Sequence, residues 1–351
     1  SGFLIEDGRL TMPVKDINAD LGVKLCLSTA EGYIVVPSTV TIRSLTAKTQ
    51  KSNLAVEGTV DKYEDLLLDA RIKGNLNLPD LQTFLPDTMP IALEGTSKIN
   101  LHVKSWLETL KKLNLEKIQA NGTLDFAKLD VHYDSIHASS PSLKLAVSLP
   151  KAGGKAKAKV HELIGARITG GQLNVEMAQN GLHAHVVDPD INVGLPNILD
   201  KKQALAAAFD IKFSKVNAEM DSMIVYSDTL KLKGSVRNDK NQENVLKQWN
   251  PDVDIDILRG VLAMNSMSEA VRMTNFEFNY KPEVCNISRA DILWGVSDYH
   301  LSGKVYGLED WLDHKAMLHG TLDFGSQYAD IDQLLGILSG MGSDEDTLQQ
   351  Q

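Results

Sequence analysis

The chain has 351 residues, 43% hydrophobic and 23% charged, which is enough apolar material for one large or two ordinary domains and too much for a disordered chain. Its 46 acidic against 36 basic residues give a net charge of −10 with no long basic run, so neither a nucleic-acid backbone nor an anionic membrane surface meets a counter-surface. Cys26 and Cys285 lie far apart without a C-x-x-C partner, which argues against a disulfide framework or a zinc site and predicts two buried, unpaired thiols.

An internal repeat organises the elements. The segment from Ile42, IRSLTAKTQKSNLAVEGTVDKYEDLLLDARIKGNL, aligns with ISRADILWGVSDYHLSGKVYGLEDWLDHKAMLHGTL from Ile287. The same interval separates Ile42 from Gly58 and Ile287 from Gly303. EDLL at Glu64 is answered by EDWL at Glu309, and one inserted residue offsets Gly320 from Gly74. Each unit reads as strand, strand, helical turn, strand. In LAVEGTV, Leu54, Val56 and Val60 alternate with polar or small residues, and in IKGNLNL, Ile72, Leu76 and Leu78 do so, the period of a half-buried strand. Gly58 and Gly74 share the parity of the apolar residues, as Gly303 shares that of Leu301 and Val305. That placement predicts a bend, a bulge or the close approach of another element to the inner face.

Further along the chain, Trp106, Leu107, Leu110 and Leu113 keep helical spacing. A partial repeat follows at Gly122, Leu124 and Phe126, whose GTLDF string recurs at Gly320, Leu322 and Phe324. Leu143, Leu145, Val147 and Leu149 alternate as a strand. The basic, glycine-containing PKAGGKAKAK at Pro150 reads as a linker, dividing the chain into modules 1–150 and 161–351 around a loop at 151–160. Pro196 is placed for the first turn of a helix running towards Ala208. Ile211 and Phe213 then alternate, Leu230, Leu232, Gly234 and Val236 form another partial repeat, and Phe276, Phe278 and Tyr280 another strand. Ile331, Leu334, Leu335, Leu338 and Met341 make a terminal helical stripe. The fold class expected from this pattern is mainly β: an elongated, curved antiparallel sheet built from repeats, wet on one face, with a few short covering helices.

Catalytic and cofactor patterns are missing. GGKA at Gly153 lacks the spacing of a phosphate loop, and no Gly-x-Ser-x-Gly elbow precedes a helix. His183 and His185 share one face of a strand without a third ligand, so the reading is no metal and no cofactor. Asp252, Asp254 and Asp256 alternate with apolar residues as the wet face of a strand. Met264, Met267 and Met273 form an adaptable apolar cluster, read first as core filling. An envelope hydrolase is disfavoured for want of a nucleophile. No run of about 18 apolar residues or signal-peptide pattern occurs, and the opening Ser1-Gly2 reads as that of a fragment whose anchor lies outside it.

The Gly-x-Leu-Asp/Asn-Phe/Leu strands at Gly74, Gly122 and Gly320, each soon followed by an acidic-leucine stretch such as Pro79-Asp80-Leu81, together with NFEFNYKP at Asn275, resemble the AsmA-like family. The resemblance implies a periplasmic protein of repeating β-grooves, related to TamB and to chorein-type lipid transporters. It also implies tethering to the inner membrane, possible contacts with envelope proteins, and a part in outer-membrane biogenesis and phospholipid movement without enzymatic activity. On that reading the groove candidates are Leu54, Val56, Val60, Ile72, Leu76, Leu78, Leu230, Leu232, Val236, Leu301, Val305, Leu322 and Phe324, and the partner is a phospholipid or another acyl-chain lipid. The alternative is an envelope scaffold whose apolar face is closed into a core, because a groove wall and a core wall share one alternation.

Overall fold

The computed structural model describes residues 3–5, 14–28, 34–61, 66–82, 91–111, 118–149, 165–179, 181–195, 206–238, 248–265, 267, 269–312 and 315–331. Its strands are β1 Phe3–Ile5, β2 Val14–Ser28, β3 Ile34–Lys48, β4 Asn53–Asp61, β5 Leu67–Asn77, β6 Ile91–Trp106, β7 Gln119–Tyr133, β8 Ile136–Leu149, β9 Gly165–Gly170 and β10 Gln172–Met177. They continue as β11 Leu182–Val187, β12 Asp190–Gly194, β13 Ala206–Met220, β14 Met223–Arg237, β15 Asp252–Met264, β16 Val271–Lys281, β17 Val284–Trp294, β18 Ser297–Tyr306 and β19 His319–Gly325. Among the described residues, short helices join them at α1 Leu78–Gln82, α2 Leu107–Lys111 and α3 Leu308–Leu312.

The chain is mainly β and forms one elongated antiparallel meander in which successive strands pair, except within β9/β10 and β11/β12. β9 and β10 together occupy one position beside β8, and β11 and β12 together the next, beside β13. β1 pairs with β2 at one edge and β19 with β18 at the other. Among the described strands, those in extensive backbone contact are hydrogen-bonded neighbours, the pattern of a single-layered sheet. The 151–160 linker lies outside the described residues, and the ladder continues across it from β8 to β9.

Ile42 faces Gly58 across β3 and β4, and Ile287 faces Gly303 across β17 and β18, each followed by a register shift in the first strand. The first half of the repeat is thus one structural unit used twice. The second half diverges: Leu67 opens β5, whereas the matching EDWL residues lie in α3, and Gly58 pairs with Ala70 while Gly303 pairs with Leu322.

Other expectations need correction. Trp106 ends β6, leaving only Leu107–Lys111 helical, and Leu113 lies outside the described residues. Ala206, Ala207 and Ala208 belong to β13 and not to a helix from Pro196, and residues 196–205 lie outside the described set. Of the terminal stripe only Ile331 is described. Leu78 leaves the strand period and is buried in α1. Cys285 is buried, but Cys26 is exposed because β2 lies near the sheet edge, where an outward residue meets solvent.

Candidate functional site

A crease crosses the sheet. In β14 the inward residues are Met223, Val225 and Ser227 on one side of Asp228-Thr229, and Leu230, Leu232, Gly234 and Val236 on the other, so the parity changes within one strand. β15 changes at Leu258-Arg259, leaving Val253, Ile255 and Ile257 inward below and Gly260, Leu262 and Met264 inward above. The same switch falls at Lys128 in β7, Pro141 in β8, Gly171 between β9 and β10, Asp188-Pro189 between β11 and β12, Ser214 in β13, Asn275 in β16 and Arg289 in β17.

An extra residue in a strand bends it and transfers its alternation to the other parity. Because neighbouring strands from β7 to β17 carry the extra residue at about the same height, they stay in register with one another. Mismatch appears where creased strands meet uncreased ones, at Glu94/Thr96 opposite β7 and Ile287/Ala290 opposite β18, and where the crease steps by one pair between β16 and β17. Lys128, Asp188, Thr229 and Asn275 all have φ near +50° (52°, 49°, 56° and 50°), a conformation that costs a non-glycine residue roughly 1–2 kcal/mol. Nine sheet positions at about 4.8 Å spacing make the crease roughly 40 Å long.

Two inward rows flank it. Below run Leu76, Ser97, Phe126, Leu143 and Gly170, and further along Phe213, Leu230, Ile257 and Phe276. Above run Leu173, Val186, Val216, Ser227, Gly260, Met273, Ile292 and Tyr299. Burial concentrates here: Leu76, Ser97, Ser140, Leu143, Val186, Ser227, Ala290 and Tyr299 are buried, as is Pro189 at the crease itself. Away from the crease, Ala70, Ile99, Ser105, Cys285 and Ser297 are buried as well, but Val56, Ile72, Leu232, Ile255 and Val305 are only half-buried. The sheet is therefore a trough, packed along its fold line and partly open along its two arms.

Among the described residues from β4 to β19, no charged side chain stands on the inward register. The lower arm presents Leu, Ile, Val, Phe, Ala and Gly almost throughout, and the upper arm adds methionines where Met220 faces Met223 and Met223 faces Met264. Four inward polar atoms, Ser97 Oγ, Ser227 Oγ, Trp294 Nε1 and Tyr299 OH, lack a hydrogen-bond partner. At the two ends the same face is exposed: Leu21, Val23 and Leu25 on β2, and Leu322 and Phe324 on β19, are 52–59% exposed.

The outer face carries the charge. Asp252, Asp254 and Asp256 are exposed there; Asn279 Nδ2 donates to Asp254 at 2.7 Å, and Lys281 lies 3.3 Å from Asp252. His102 and Lys104 flank Asp69 and hold its carboxyl below the usual range, and Arg167 does the same to Asp190. His183 and His185 are both on this face. His185 Nδ1 lies 2.6 Å from Asn174 Oδ1, and His183 Nδ1 lies 3.8 Å from Glu176 Oε1.

Of the sequence candidates, Leu54, Val56, Val60, Ile72, Leu76, Leu230, Leu232, Val236, Leu301, Val305, Leu322 and Phe324 share the inward register, and Leu78 does not. Gly58, Gly74, Gly122, Gly234, Gly303 and Gly320 are inward too. A Cβ on any of them would lie 2.1–2.2 Å from a backbone oxygen of the adjacent strand, so the element whose approach they admit is the neighbouring strand itself. Sequence reading missed the upper arm, including Leu173, Val186, Val216 and Tyr299, whose parity changes at the crease hid them from a single alternation.

The rims are finished by short elements. α1 stands where β5 ends at the crease: Asp80 accepts hydrogen bonds from Ser52 and Thr49 hydroxyls and from Asn77 Nδ2, and these hold its carboxyl below its usual range against the opposing effect of burial. α3 closes the lower rim, with Tyr280 OH donating to the buried Glu309 at 3.0 Å. Burial and that carboxylate push the Tyr280 phenol well up. No family model, curated protein or solved structure matches this chain.

Proposed function

We propose that this chain is a lipid-holding β-groove segment of an AsmA-like periplasmic protein, serving phospholipid movement between envelope membranes without catalysing a reaction. The observation that carries the reading is the inward face itself: across sixteen strands from β4 to β19 its described register is apolar and free of charge, and much of it, including Val56, Ile72, Leu232, Ile255 and Val305, is only half-buried. Each acyl methylene withdrawn from water there gains about 0.8 kcal/mol, so a trough of this length holds acyl chains with no polar chemistry. The exposed apolar ends at β2 and β19 suit a conduit that continues into further segments or hands its cargo on. A scaffold with a sealed core would bury the arms throughout, and the half-exposure of Val56, Ile72, Leu232, Ile255 and Val305 favours the groove.

Chain purified from lipid-containing cells is expected to carry phospholipid detectable by native mass spectrometry. A photoreactive residue at Leu232 or Ile255 should crosslink lipid, and one at the outward Lys231 or Asp256 should not. Absence of lipid, or equal crosslinking from both faces, would remove the proposal.

A further inference from the structure

The outer face of the upper arm holds a second site, unrelated to the trough. Asp130 and His132 lie two residues apart on β7 and so point the same way, and His137 faces His132 across the tight turn to β8. The two imidazoles are parallel, with centroids 4.1 Å apart and planes 3° from coincident. Both Nε2 atoms converge on one carboxylate: His132 Nε2 is 3.0 Å from Asp130 Oδ1, and His137 Nε2 is 3.1 Å from Asp130 Oδ2. The three donor atoms of this group lie within 4.8 Å of one another.

Glu176, facing His137 from β10, places Oε2 3.3 Å from His137 Nδ1, and a carboxylate only accepts, so Nδ1 carries a proton towards it. On the other side of the ring Nε2 faces Asp130, whose Oδ1 is shut off from solvent and has no well-directed hydrogen bond, although His132 Nε2 is close by. A buried carboxylate oxygen left in that state calls for a cationic partner.

A metal ion meets that need. Two bonds of about 2.0–2.1 Å at a tetrahedral angle put ligand atoms roughly 3.3–3.4 Å apart, within a few tenths of an ångström of the two nitrogen–oxygen spacings seen here. Glu176 is placed as the partner that fixes the tautomer and orientation of a ligating histidine from behind. Imidazole and carboxylate donors together suit borderline divalent ions such as zinc. We infer that Asp130, His132 and His137 bind a divalent transition-metal ion on the outer face, with Glu176 orienting His137 and solvent completing the coordination. Bound there, the ion would clamp the β7–β8 hairpin at the first creased strand.

The test is zinc titration of the tag-free, chelator-treated chain by calorimetry, with cobalt as a spectroscopic substitute. One ion per chain is expected, with the intense visible absorption of four-coordinate cobalt. H132A and H137A should each weaken binding at least tenfold, and E176Q about tenfold. H185A, which removes another outer-face imidazole, should leave affinity unchanged, and zinc should raise the melting temperature of the wild-type chain but not that of H132A. His132 is the most exposed of the three side chains, so its variant is the one to keep if H137A fails to fold. No stoichiometric binding, or equal weakening by H185A, would overturn the assignment.

Discussion

Replacing Gly58 by alanine adds a single methyl group where the neighbouring strand leaves no room for it. The new Cβ would lie 2.2 Å from Asp69 O and 2.7 Å from Ala70 Cα, against ordinary carbon contacts of about 3.5–4.0 Å. Both obstacles are backbone, so no rotamer change relieves the clash, and β4 and β5 must separate by about 1 Å around the Gly58–Ala70 pair. Overpacking of this kind costs about 1–3 kcal/mol, and straining one or two ladder hydrogen bonds adds about 1 kcal/mol. Alanine recovers roughly 0.5–1 kcal/mol of backbone entropy, leaving a net loss of about 1–3 kcal/mol. Gly303→Ala meets the same approach, 2.2 Å from Thr321 O, with a φ of +143° as a further strain. Asn75→Val is the matched outward change on the partner strand: Asn75 is exposed, and only its backbone nitrogen is used, donating to Asn53 Oδ1. Urea unfolding should show a lower midpoint for both glycine variants at unchanged slope, with Asn75→Val within about 0.5 kcal/mol of the parent. A Gly58→Ala chain as stable as Asn75→Val would refute the inward placement of the glycine and, with it, the register of the lower arm.

Asp80→Ala removes the acceptor of three side-chain hydrogen bonds at the α1 corner and should destabilise the chain by about 2–3 kcal/mol in the same assay. Tyr280→Phe takes one donor from the buried Glu309 and should cost about 1–2 kcal/mol, whereas a Tyr280→Phe chain of unchanged stability would dissociate α3 from the rim. Asp291, held at about 2 by Arg289, His300 and Asn275, titrates below an unfolded carboxyl near 3.9, so its contribution is complete above about pH 4 and is lost as pH falls through 2. Asp291→Asn should therefore lower stability at pH 7 by about 1–2 kcal/mol and flatten the acid limb of the stability profile, and an acid limb identical to that of the parent would contradict the pairing.

Several features were legible in the residues alone because they are local. A period of two needs only a few consecutive side chains, so Leu230, Leu232 and Val236, or Leu143, Leu145 and Val147, disclosed both the strand and its apolar side, and the parity of Gly58 and Gly303 disclosed the inward glycines. The run of Asp252, Asp254 and Asp256 likewise marked its wet face. The crease was not legible. At Thr229 or Asn275 the alternation merely stops and resumes on the other parity, which by itself reads as the end of one strand and the start of another. Only hydrogen-bond registers between strands distant in sequence show that these interruptions align into one fold line. The same dependence on register brings Glu176 from β10 against the Asp130, His132 and His137 of one hairpin, while His183 and His185, adjacent in pattern, have separate partners. Leu78 and Cys26 were misread for a related reason: whether an apolar position meets a partner or solvent depends on where its strand stops and what lies beside it, which is decided by pairing and not by alternation.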